Sequence, residues 1–119
     1  MATININIKI SVLSFKENDT NIMYCPELDI SGYGDNFKEA SESFKIALDE
    51  FIRYTLNKKT LEKELKRMGW VIVRKGKKTI KYKSPSIIDI INKNKDLTDI
   101  IGNKEYRKTN KLIAIPAIA

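Results

Sequence analysis

The sequence predicts an α+β protein, on three observations. Ile4, Ile6, Ile8, Ile10 and Val12 alternate with Asn5, Asn7, Lys9 and Ser11, the period of two expected of a strand with one dry face and one wet face. Phe37, Ala40, Phe44, Ala47, Leu48, Phe51 and Ile52 recur every three or four residues, the stripe of an amphipathic helix. Trp70 to Arg74 and Thr79 to Tyr82 are rich in β-branched and aromatic residues around Lys75, Gly76, Lys77 and Lys78, which predicts a hairpin with a cationic tip.

After the first strand, the polar stretch Lys16 to Asn21 reads as a hairpin connection. Ile22 to Cys25 is the returning strand, stopped by Pro26, which has no N–H to give a ladder. A third strand is expected around Leu28 to Tyr33. Gly34 and Asp35 turn the chain, and Asn36 with Glu39 three residues later forms an N-cap pair for the long helix. Thr60 is placed to cap a second, shorter helix with Leu61, Leu65 and Met68 inward, ended by Gly69. Beyond the hairpin, Ser84 and Pro85 punctuate the chain. Ile87, Ile88, Ile90, Ile91, Leu97, Ile100 and Ile101 then suggest one or two short helices, broken near Asn92 to Lys95 and closed at Gly102. Leu112 to Ile115 reads as a short strand before Pro116. The predicted organisation is a β-β-β-α domain over residues 1–57 and a basic helix-hairpin module with short C-terminal helices and a terminal strand over 58–119.

The 119 residues carry a formal charge of +7, distributed unevenly. Residues 1–52 hold 4 Lys+Arg against 9 Asp+Glu, residues 53–83 hold 12 against 2, and residues 84–119 hold 6 against 4. Such asymmetry points to complementary packing within or between chains, or to separate partners for the two halves. No apolar run approaches the roughly 18 residues of a membrane span, and Met1 to Val12 alternates where a signal peptide would be continuously apolar. A cytoplasmic protein is expected, with no membrane partner.

An isolated β-β-β-α module resembles a truncated ribonuclease H fold, and two-metal phosphodiester cleavage on it would need acidic oxygens converging from mid-strand. The first strand has no acid. Glu17, Asp19, Glu27, Asp29 and Asp35 fall in turns or at strand ends, where solvated turn residues are common. With no histidine in the chain, imidazole catalysis and the common zinc ligand sets are excluded, and Cys25 has no imidazole to activate it. Gly32 and Gly34 lack the rest of a phosphate loop and read as a turn before the helix. No cofactor or metal is expected. The basic stretch leaves two readings open. Lys66, Arg67, Arg74, Lys75, Lys77, Lys78 and Lys81 could grip RNA phosphates with Trp70 and Tyr82 between them. Alternatively the two aromatics are core residues and the lysines solvate a surface hairpin.

The run Tyr24-Cys25-Pro26-Glu27-Leu28, followed by Gly34-Asp35-Asn36-Phe37-Lys38-Glu39-Ala40, resembles the HicB-type antitoxin domain over about Ile4 to Leu56. Asn36 stands where that family usually has Thr, and Asp29-Ile30 where a Gly-Cys pair is frequent. The resemblance implies a non-catalytic, partial ribonuclease H-like fold that binds and silences a small basic HicA-type toxin, an mRNA-cleaving protein. Leu61 to Arg74 with Gly76, and Leu112 to Pro116, are similar to elements of that toxin family itself. The toxin's catalytic histidine would align with Lys78, and a second histidine near Ile118, so proton transfer by imidazole is lost. On this resemblance the expected protein is a non-enzymatic antitoxin-type binder, with Glu17, Asp19, Glu27 and Asp29 as charge contacts to the toxin. RNA bound by the basic helix-hairpin is the alternative partner, and a third reading is an orphan structural protein whose two halves neutralise each other within one chain or a homodimer. Self-association through an exposed strand edge is also expected.

Overall fold

A computed structural model describes residues 3–75, 79–93, 95–103 and 105–118. It is an α+β fold built on a four-stranded antiparallel sheet, with a separate two-stranded sheet and helices on both faces of the larger one. The large sheet contains β1 (Thr3–Glu17), β2 (Thr20–Cys25), β3 (Ile30–Gly34) and β6 (Tyr106–Ile118), in the order β3-β2-β1-β6. The small sheet is the hairpin of β4 (Val71–Lys75) and β5 (Thr79–Lys83). The helices are α1 (Phe37–Asn57), α2 (Leu61–Arg67), α3 (Ile87–Lys93) and α4 (Lys95–Asn103).

The first hairpin is tighter than the six-residue connection the sequence suggested. Glu17 pairs with Thr20, so only Asn18 and Asp19 form the turn, both with positive φ (52° and 66°). That is the requirement of a two-residue hairpin turn whose twist matches its strands, and Asn and Asp tolerate it better than other non-glycine residues. β2 ends at Cys25, before Pro26, as expected.

The helix cap is formed as the sequence predicts. The Asn36 Oδ1 accepts the Glu39 N–H at 2.9 Å, and the Glu39 carboxylate reaches back to accept the Asp35 N–H at 2.9 Å. α1 then runs past Ile52 to Asn57 and ends in a Schellman turn. There the Thr60 N–H donates to the Thr55 carbonyl (2.8 Å) and the Lys59 N–H to the Leu56 carbonyl (3.0 Å), with Lys59 in the left-handed region at φ 56°. α2 ends in the same motif, with Gly69 at φ 95° in the position that glycine favours. Thr60 occupies the N-cap position of α2, but its side chain makes no capping hydrogen bond.

Gly32 and Gly34 have a role other than the turn the sequence suggested. Both belong to β3, and α1 lies directly on them. A Cβ at Gly32 would collide with the Phe44 backbone nitrogen and sit 2.6 Å from the Ala40 carbonyl oxygen, and one at Gly34 would sit 2.5 Å from the Ala40 nitrogen. Glycine therefore sets how closely the helix approaches the sheet.

One face of the sheet carries the main core. Ile8, Ile10, Val12 and Ile113 pack with Phe44 and Leu48 of α1 and with Leu61, Leu65 and Trp70. Residues from both sides of the 57/58 boundary thus share one core. The other face presents Leu13, Phe15, Ile22 and Tyr24 to Ile90, Leu97 and Ile100 of α3 and α4. Farther along β1 the same face is wet at Asn7 and Lys9, as the alternation predicts.

The terminal strand spans 13 residues, not four, and pairs with β1 from Thr3↔Ile118 to Phe15↔Tyr106. It carries Pro116 within it, which an edge strand tolerates. β6 covers the edge that the first three strands alone would leave open on β1. At the opposite edge, on β3, the Tyr33 N–H donates to the Ser43 hydroxyl of α1 at 3.1 Å. α4 continues through Gly102 to Asn103.

Candidate functional site

The four acids expected to contact a partner separate into different environments. Glu17 ends β1, Asp19 sits at the hairpin turn and Asp29 precedes β3 with φ 53°, all three exposed. Glu27 does not join them, which corrects its reading as a solvated charge contact. It is only 5% exposed. Its Oε2 accepts the Ser11 N–H at 2.9 Å, and its Oε1 is 3.7 Å from the Cys25 sulfur, which donates to it. The reason is local: β2 turns away at Pro26, so the β1 N–H at Ser11 needs another acceptor, and Glu27 supplies one. The Glu27 backbone carbonyl in turn accepts the Trp70 indole N–H at 2.7 Å, tying the second half of the chain to the first.

Glu17 and Asp29 line one cleft of about 400 Å3 on the face of the sheet covered by α3 and α4. Asp99 of α4 faces the same cleft, whose walls include Phe15, Tyr24 and Tyr33. The Tyr24 hydroxyl donates to Asp29 Oδ1 at 3.0 Å, orienting that carboxylate. Asp19 is not among the lining residues. Asp99 was not legible as a partner of Glu17 and Asp29, because only the packing of α4 brings it there from 70 positions farther along the chain than Asp29. Three carboxylates beside aromatic rings form an environment suited to a cationic side chain.

The basic candidates are less available than their number suggests. Arg67 pairs with Glu64 at 3.0 Å, and Arg74 pairs with Glu62. Lys66 and Lys81 are exposed. Lys77 and Lys78 lie outside the described residues, as does the side chain of Lys75. Of the two readings left open for Trp70, the structure gives the core one, since the ring is 3% exposed and packs with Ile8, Ile10 and Leu65. Tyr82 is half-buried against the same core, and burial, then the Glu62 charge, pushes its hydroxyl pKa up while Arg74 opposes them. Neither ring is free to stack on a base.

Cys25 is fully buried, and its thiol pKa is raised far above the ordinary value, first by burial and then by the neighbouring Glu27 charge. A thiol held protonated is a poor nucleophile. Among the described residues no three His, Cys, Asp or Glu side chains are placed to hold a metal ion, and no helix is long and apolar enough to cross a membrane. Comparison with protein-family models, curated proteins and solved structures found no match to the chain.

Proposed function

We propose that the protein is a HicB-like, antitoxin-type binder that occludes a small basic RNA-cleaving toxin and catalyses no reaction itself. The observation that carries this reading is the cleft where Glu17, Asp29 and Asp99 surround an aromatic wall on an otherwise basic chain. A lysine or arginine entering the cleft donates a charge-assisted hydrogen bond to a lining carboxylate and contacts the rings of Tyr24 and Tyr33. The connectivity β1-β2-β3-α1, with α1 laid on the sheet, is what a partial ribonuclease H-like module requires, and it supports the resemblance carried by Tyr24-Cys25-Pro26-Glu27-Leu28.

The charge contacts in this reading are Glu17 and Asp29, joined by Asp99, with Asp19 two residues from Glu17 in the hairpin turn. Complementary charge sets the encounter rate and the choice of partner more than the affinity. Gripping RNA with the helix-hairpin unit is the weaker alternative, because Arg67 and Arg74 would first have to leave Glu64 and Glu62. The test is a titration of a cognate HicA-type toxin during RNA cleavage. Cleavage should stop at a one-to-one ratio, and cleavage that continues at saturating protein would refute the proposal.

A further inference from the structure

β6 closes the sheet at β1 and itself becomes an open edge. The opposite edge, β3, is five residues long, and α1 occupies it through the Ser43 hydroxyl. β6 is 13 residues long, and among the described residues no strand pairs with its outer side. The direction of its amides follows from Ser11, whose N–H points toward the β2 side to meet Glu27. N–H groups alternate in direction along a strand, so those of Ile8, Ile10, Val12 and Ser14 point the other way and exchange hydrogen bonds with Ile113, Lys111, Thr109 and Arg107. The N–H groups of Tyr106, Lys108, Asn110, Leu112 and Ala114 therefore point away from the sheet. Pro116 falls in the same outward series, where its missing N–H leaves the β1 ladder intact. Leu112, midway along β6, is 60% exposed and sits opposite Lys9 on the part of the sheet face that is wet.

We infer that two copies of the chain join through β6, antiparallel about a two-fold axis at Leu112, so that their four-stranded sheets become one. An uncovered row of outward amides and carbonyls is a template for another strand, and a two-fold contact needs a segment that complements its own reverse. β6 meets this requirement. Full-length pairing sets Leu112 against the partner's Leu112, Asn110 against the partner's Ala114 and Lys108 against the partner's Pro116. Arg107, Lys108 and Lys111 then each lie opposite an uncharged residue, whereas parallel pairing in register would set each cation beside its copy. Lys111 is further occupied, with its ammonium 5.6 Å from the Phe44 ring centre. The central pair covers the exposed leucine of both copies. Where Lys108 meets the partner's Pro116, one bond of the ladder is missing, because proline has no N–H to return. None of the residues lining the acidic cleft belongs to β6, so this association and toxin binding are tested separately.

Sedimentation equilibrium of the native chain should give twice the mass of one chain. The dimer should persist as salt is raised, because backbone hydrogen bonds and Leu112 hold it. Leu112→Cys should form a covalent dimer on oxidation, since the Cα atoms of a hydrogen-bonded antiparallel pair are about 5.5 Å apart, within disulfide reach. Lys108→Cys should not, because its copy lies opposite Pro116, roughly 27 Å away at about 3.4 Å per residue. Cys25 is buried and does not compete. Asn110→Pro removes an outward N–H without touching the β1 ladder and should weaken the dimer about tenfold or more. Circular dichroism shows whether that variant folds, and if it does not, the two cysteine variants decide. A native chain that stays monomeric at its highest soluble concentration, or a dimer that dissociates with salt, would overturn the inference. So would an undiminished dimer in folded Asn110→Pro, or cross-linking through Lys108→Cys as readily as through Leu112→Cys.

Discussion

Glu27→Ala removes the acceptor of a buried backbone N–H at Ser11 and leaves that donor with no partner of its own. A hydrogen bond to a charged group contributes about 1.5–3 kcal/mol, and an orphaned buried donor carries a penalty of similar size. Unfolding entropy of about 2.1 cal/mol/K per residue gives roughly 0.25 kcal/mol/K for a chain of this length, so a loss of about 2 kcal/mol lowers Tm by about 8 °C. Glu27→Gln keeps a side-chain carbonyl in the same place and should lose less than half as much. Thermal unfolding followed by circular dichroism, on both variants and the parent, measures this directly. An alanine variant as stable as the parent would refute the buried-acceptor role. If that variant had also lost partner binding, Glu27 would belong to an interface after all.

Gly32→Ala should destabilise by about 2 kcal/mol or more, because its Cβ meets α1 backbone that has nowhere to move; denaturant unfolding reads the loss. Lys59→Gly should stabilise by about 1 kcal/mol by relieving the left-handed residue at the end of α1, seen as a Tm about 4 °C higher. Trp70→Phe removes the hydrogen bond to the Glu27 carbonyl and should lower stability by about 1 kcal/mol in the same assay. Cys25 should resist thiol reagents in the folded state and react only on unfolding. Its folded pKa lies above the ordinary 9.0, so the folded chain keeps a proton that the unfolded chain releases. Stability is therefore unaffected by this group at neutral pH and falls as pH rises past about 9, which a pH series of denaturant melts checks.

What could be read from the letters was whatever depends on local pattern. The alternation from Ile4 to Val12, the stripe from Phe37 to Ile52 and the Asn36 cap each act over a few residues, and the structure forms each of them. The misses depend on distant partners. Leu112 to Ile115 looked like a short strand because Pro116 reads as a stop and the preceding residues are polar, whereas β6 reaches 13 residues by carrying Pro116 within it and by pairing along Tyr106 to Lys111 with β1. Glu27 looked like a solvated acid because sequence gives no sign that β2 leaves the Ser11 N–H without a ladder partner. Gly32 looked like a turn residue because the approach of α1 is a matter of packing. Within the candidate site, Glu17 and Asp29 were recognisable as acids near strand ends, but their meeting with Asp99 exists only after α4 docks on the sheet. Trp70 sits among lysines in sequence and among isoleucines in space, so only the fold decides between the core and the stacking reading of its ring.

The most direct measurement of the central claim is calorimetric titration of a cognate HicA-type toxin into the native chain and into the variant carrying Glu17→Gln, Asp29→Asn and Asp99→Asn. The substitutions keep side-chain size and remove only the three charges lining the cleft. The native chain should bind with an affinity that falls as salt is raised, and the variant should bind at least about tenfold more weakly with a flatter salt dependence. Equal affinity and equal salt dependence in the two proteins would contradict the account.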